Sequence, residues 1–156
     1  MSAVEDRLTE LGLSVPDVAT PAGAYVPALQ EGNLVFTSGQ LPMVSGDLPQ
    51  TGKVGDGHGL VPADDAKALA RICALNAIAA VKSVVGDLDR VTRVVKVVGF
   101  VASDPSFTGQ PGVINGASEL LGKVLGDAGQ HARSAVGVAV LPLDSPVEVE
   151  LIAEFA

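Results

Sequence analysis

The sequence predicts an α+β fold: a two-layer sandwich of a mixed β-sheet with two helices on one face. Two segments carry apolar residues at helical spacing, five short runs are apolar and β-prone, and they alternate in the order ββαβαββ. Helices placed this way collect on one face of the sheet. The opposite face then needs another cover, and strands this apolar point to a second copy of the chain.

A chain of 156 residues, 47% hydrophobic, suits one domain with its own core. Aromatics make up only 3% and there is no Trp, so Val, Leu, Ile and Ala must fill that core. We expect residues 1–24 to be a helical appendage and linker, and residues 25–156 to be the domain.

Val4, Leu8 and Leu11 lie on one side of a short helix over residues 3–12, with Gly12 as its stop. Pro16, Pro21 and Gly23 break any regular element in the linker that follows. Tyr25–Leu29 and Leu34–Ser38 read as a hairpin around the Gly32-Asn33 turn. From Gly39 to Leu60, Gly, Pro, Asp, Ser and Thr dominate, the composition of a long loop that is functional or mobile.

Pro62-Ala-Asp-Asp opens a long helix whose apolar face includes Ala66, Leu69, Ala70, Cys73, Ala77, Ala80, Val81 and Val84, and Gly86 ends it. Small residues there let the helix lie close to a sheet. Val91–Ala102 is nearly continuous in β-branched residues, which predicts a central strand buried on both faces. A second helix follows over Pro111–Gly126, through Val113, Ala117, Leu120, Leu121 and Val124. Arg133–Leu141 and Val147–Phe155 are the last strands, the latter alternating Val147, Val149 and Leu151 against Glu148, Glu150 and Ile152.

Net charge is −8 and the ten cations are scattered singly, which argues against nucleic acid as a partner. No apolar run suggests a membrane span, and the polar start Met-Ser-Ala-Val-Glu-Asp-Arg-Leu lacks a signal core, so a cytoplasmic setting without membrane contact is expected. The single cysteine, Cys73, excludes an internal disulfide and a cysteine-cluster metal site, and its apolar helix face predicts an inert thiol. Phosphate-binding, nucleophile-elbow and paired-His motifs are absent, and no metal or organic cofactor is expected. His58 and His131 read as satisfied loop residues.

Arg133 stands at the mouth of a strand with no carboxylate beside it in sequence. Its planar fork suits the carboxylate of an α-keto or α-imino acid; a structural salt bridge to Glu148 or Glu150 is the other reading, and spacing leaves both open. Glu148 and Glu150 share one face of the last strand, ordinarily a solvated one. Covered by a neighbouring subunit, such a carboxylate would be partly desolvated and could serve as a general base. Tyr25, Ser38 and Asn115 are further polar candidates, each with a routine structural role available.

Gly23-Ala-Tyr-Val, Val35-Phe-Thr-Ser-Gly-Gln-Leu-Pro42, Asn115, His131-Ala-Arg-Ser-Ala-Val-Gly-Val, Leu141-Pro and Val147-Glu-Val-Glu-Leu-Ile-Ala together resemble the RidA (YjgF) family, also called the L-PSP endoribonuclease family, in order and spacing. The resemblance runs from about Gly23 to the C-terminus. It implies a chorismate-mutase-like fold assembled as a homotrimer with sheets packed inward and clefts between subunits. It further implies cofactor-free hydrolysis of 2-aminoacrylate and related enamines or imines to 2-oxo acids and ammonia. On this resemblance Arg133 holds the substrate carboxylate, Glu148 positions the attacking water, and Tyr25, Ser38 and Asn115 line the cleft. Ala135 stands where well-studied members carry a cysteine, and both the 46–60 loop and the N-terminal stretch are longer than the family minimum.

Two functions compete: an enamine/imine deaminase, and a module that binds or senses a small carboxylate with the same arginine. Ribonuclease activity conflicts with the charge of −8. Chorismate mutation would call for several cations where only Arg133 can be placed.

Overall fold

The computed structural model describes residues 2–156 and shows α1 (Ala3–Glu10), β1 (Ala28–Glu31), β2 (Leu34–Thr37), α2 (Ala63–Val85), β3 (Val91–Ala102), α3 (Gln110–Leu125), β4 (Ala132–Val138) and β5 (Val147–Phe155). The five strands form one mixed sheet in the order β1-β2-β5-β3-β4, antiparallel except for the parallel pair β3–β4. α2 and α3 pack on one face, giving the expected two-layer α+β sandwich.

α2 follows its small-residue pattern. Pro62 caps it, Asp64 and Asp65 sit in the first turn, and Gly86 takes the positive φ that ends it. Its mean hydropathy of 1.7 over 18 residues would suit a membrane span by length and composition, yet most of that stretch is buried within the fold. Gly116 of α3 lies against the Lys67 carbonyl of α2, where a Cβ would overlap the oxygen. Gly99 of β3 admits the Ile114 side chain, whose Cδ1 would lie 2.5 Å from a Cβ there. Two glycines therefore set how closely helix meets helix and helix meets sheet.

Several boundaries differ from the sequence expectation. β1 begins at Ala28, not Tyr25, because Pro27 has no N–H to donate to a ladder. Tyr25 is thereby released to the surface at 50% exposure. β4 stops at Val138, where Ser103 beyond the end of β3 makes the last backbone hydrogen bond, 3.0 Å. β3 is central but covered on one face only: Val94, Val97 and Val101 are buried under the helices, whereas Val98 and Phe100 are half-buried on the open face.

The N-terminal helix is more than the expected appendage. Val4 and Leu8 join the main core, and Ser2 and Glu5 form a capping box. Asp89, eighty-six positions from Ala3, accepts from the backbone N–H groups of Ala3 (2.8 Å) and Val4 (3.1 Å), which lowers its own pKa. Lys82 pairs with Glu5, and Arg7 donates to the Val124 carbonyl at 2.9 Å.

The long loop after β2 is pinned as well. Buried Val54 donates to the Ala102 carbonyl (2.7 Å) and accepts from Asp104 N–H (2.9 Å). Asn76, buried on α2, donates to the Leu41 and Met43 carbonyls at 3.0 and 3.1 Å.

Candidate functional site

Arg133 enters β4 opposite Val97 of β3, so its side chain points to the helix-covered face of the sheet. There it meets α3. Nη1 donates to Asn115 Oδ1 at 2.7 Å and Ser118 Oγ at 3.2 Å, and Nη2 donates to the Pro111 carbonyl at 3.3 Å. Neither Glu148 nor Glu150 touches it, so the salt-bridge reading fails: the only ion pairs among the described residues are Lys67–Glu119 and Lys82–Glu5. Of the five N–H donors of a guanidinium, three are used in these bonds, and Nε–H and one Nη2–H have no acceptor among the described residues, leaving two donors for a carboxylate.

A short relay orients this arginine. His131 Nδ1 lies 2.6 Å from the Gly129 carbonyl and therefore donates, and in the neutral ring Nε2 accepts from Ser118 Oγ at 2.9 Å. The Ser118 oxygen then faces Arg133 as an acceptor. Sequence reading missed Ser118, although it lies one helical turn after Asn115 and so on the same face. Ala135, opposite Gly99, shares the side of Arg133 and packs on the core edge.

Glu148 lies elsewhere. It pairs with Phe100 on the open face, and no register shift interrupts the ladder from Val97 to Val101. Its carboxylate lies across the backbone of Gly39, in the space a side chain there would need. Partial burial raises its pKa, and the like charge of Glu150 two residues on raises it further. Gln40 fixes that backbone by exchanging hydrogen bonds with Val149 at 2.8 and 3.0 Å. Ser38 Oγ donates to the Val26 carbonyl at 2.6 Å, and Tyr25 Oη accepts from Ala22 N–H at 3.2 Å. Tyr25 and Gly39 share a cleft with Gln40, Leu41, Met43 and Leu143.

The expected residues thus form two groups, Arg133 with Asn115 and Ala135 on one side of the sheet, and Glu148 with Gly39 and its neighbours on the other. Leu29, Phe36, Val98, Phe100, Val136 and Ile152 face outward near Glu148, an apolar surface the helices leave bare. No cluster of three or more His, Cys, Asp or Glu side chains able to hold a metal occurs among the described residues. Cys73 is fully buried; burial, then the charge of Glu148, pushes its thiol pKa well up, so it is inert.

Residues 5–155 match the family described as "YjgF/chorismate mutase-like, putative endoribonuclease". Protein TCP17 of Trypanosoma cruzi is 43% identical over 152 residues, covering 97% of this chain and 93% of its own length. The crystal structure of Atu1372 from Agrobacterium tumefaciens, a protein described as of unknown function, superposes with a TM-score of 0.91 at 47% identity, covering 99% of this chain and 93% of that one. Escherichia coli TdcF with bound serine superposes at 0.64 with 26% identity, over 91% and 94% of the two chains.

Proposed function

We propose, from the premise that this chain belongs to the YjgF/chorismate mutase-like family, that it hydrolyses small 2-imino or enamino acids to 2-oxo acids and ammonia in clefts between the copies of a homotrimer. One observation carries this reading: the half-exposed Arg133 guanidinium is oriented by three acceptors on α3, has no acidic partner among the described residues, and keeps two N–H donors without an acceptor. A protein of net charge −8 has carboxylates to spare for pairing an arginine. An unpaired cation held in a fixed pose is suited to an anionic ligand.

Arg133 and Glu148 lie on opposite sides of one sheet, so both reach a substrate only where two copies meet. The apolar open face beside Glu148 supplies the surface for that meeting. Arg133 of one copy then holds the substrate carboxylate and sets the imine carbon near Glu148 of the next. Glu148 accepts a proton from water as the water oxygen bonds to that carbon and the C=N electron pair moves to nitrogen. Nitrogen takes up that proton to give a carbinolamine; Glu148 then takes the hydroxyl proton and returns it to nitrogen as the carbonyl forms, the C–N bond breaks and ammonia leaves. An enamine first takes a proton at its terminal carbon and gives up one from nitrogen, becoming the imine. A raised carboxylate pKa suits a base that must also return its proton. The serine bound by TdcF, a small carboxylate-bearing amino acid, accords with this substrate class.

A binding module that holds a 2-oxo acid would use Arg133 in the same way without turnover; the alanine at 135, where the resemblance leads one to expect a cysteine, favours keeping this second reading. The family description also mentions endoribonuclease activity, but the described residues present no basic stripe for a phosphate backbone. The deciding experiment generates imines from amino acids with an amino-acid oxidase and measures their trapping by semicarbazide. Catalysis lowers the trapped fraction in proportion to added protein. Unchanged trapping together with calorimetric 2-oxo acid binding would establish the binding module instead.

A further inference from the structure

The cleft that runs from Gly39 has a composition the reaction itself does not require. Its walls are mostly apolar, Ala19, Pro21, Tyr25, Leu41, Met43 and Leu143, with Thr20 and Gln40 among them; Tyr25 Oη accepts from Ala22 N–H, and the Leu41 and Met43 carbonyls accept from Asn76. One end of the cleft is chemically marked, since the Gly39 backbone that lines it also carries the Glu148 carboxylate. Its interior of about 60 Å³ holds roughly four to six water-sized groups at roughly 10–15 Å³ each.

Leu143 gives a second, independent indication. It is 63% exposed and holds a left-handed backbone, φ 58° and ψ 21°, followed by Asp144 at φ 60°. Glycine or asparagine would suit that backbone better than leucine. The turn is clamped in place, with Gly52 donating to the Asp144 carbonyl at 2.9 Å. An exposed leucine in a disfavoured conformation adds nothing to the stability of a single chain, and here it closes an apolar cleft.

We infer that this cleft, from Gly39 to Leu143, is the side-chain pocket of the site, and that it selects 2-imino and 2-oxo acids with a branched or extended apolar side chain of about four heavy atoms over the three-carbon acids. The inference rests on the proposed carboxylate-binding role of Arg133, and it names the substrate class of that same site. Most of the lining side chains are apolar, so a substrate side chain seated there gains chiefly from apolar area removed from water.

Calorimetric titration of the intact protein with pyruvate and with 4-methyl-2-oxopentanoate tests it. The branched acid should bind about tenfold more tightly. Leu143→Asn relieves the strained turn while removing the wall, so the preference should shrink to within about twofold with melting temperature unchanged or raised. Met43→Ser, which changes a wall outside the strained turn, should shrink it likewise. Pyruvate binding as tightly as the branched acid, or a preference that survives both substitutions, overturns the inference while leaving the carboxylate reading intact. If neither acid binds, the reading of Arg133 fails and the inference falls with it.

Discussion

Glu148 occupies the room that a side chain at residue 39 would take: a Cβ built on Gly39 would overlap the carboxylate oxygen and lie 2.8 Å from Glu148 Cδ. The obstructed group is the end of a flexible side chain, so the backbone can stay where it is while the carboxylate swings aside. Gly39→Ala should therefore keep its fold, judged by circular dichroism and melting temperature, and lose most imine turnover. A variant that keeps full turnover would show that the carboxylate works from a different pose.

Arg133 and its supports on α3 should separate in strength. Arg133→Ala removes a charge-assisted pair worth about 1.5–3 kcal/mol, so calorimetric affinity for a 2-oxo acid should fall roughly ten- to a hundredfold. Ser118→Ala leaves the guanidinium but removes one of its acceptors and unlinks it from His131. Its affinity should fall by a smaller factor, about threefold to tenfold. Equal losses in the two variants would mean that Ser118 itself contacts the ligand.

Glu148→Gln separates binding from turnover. The amide keeps the shape but not the base, so 2-oxo acid binding should persist while imine hydrolysis slows. The same substitution reports on stability. Because the folded-state pKa of Glu148 lies above its ordinary value of 4.5, the stability tied to its neutral form is complete below pH 4.5 and is lost as pH rises through the folded-state pKa. Glu148→Gln should thus raise the melting temperature at pH 7 and lose that advantage below pH 4.5. A melting temperature lowered at both pH values would contradict the desolvation described for this carboxylate.

Gly116→Ala tests the seam between the two long helices. The added methyl group meets a backbone carbonyl of α2 that has no rotamer to yield, so α2 and α3 must part. Overpacking of this kind costs about 1–3 kcal/mol, readable in chemical denaturation. Wild-type stability in this variant would mean that the helices slide without loss.

The elements that sequence reveals here are those whose pattern comes from burial. The spacing of Ala66, Leu69, Ala70 and Cys73, and the alternation of Val147, Val149 and Leu151, are written by contact with the core, and both elements form as expected. Edges follow local chemistry that a pattern does not register, as when Pro27 cuts Tyr25 and Val26 out of β1. The site was legible as residue types but not as an arrangement. Arg133 and Glu148 fall on opposite sides of the sheet because of the parity of their ladders, and parity follows only from the register of β3 with each neighbour. Asn76 was hidden for another reason: a single polar side chain in an apolar helix face shows its purpose only when the carbonyls of Leu41 and Met43 arrive.

The placement of Arg133 and Glu148 on opposite faces has a genetic consequence. Two defective chains can repair each other. Arg133→Ala and Glu148→Gln chains, each impaired alone, carry complementary intact halves, and unfolding and refolding them together should produce hybrid assemblies. Where a cleft takes one half from each of two copies drawn at random from an equal mixture, about a quarter of the clefts receive both intact halves. Imine turnover should rise to about that fraction of the wild-type level, whereas either variant refolded alone should stay at its own lower rate. A co-refolded mixture that shows no such rise would mean that both residues serve a site within one chain.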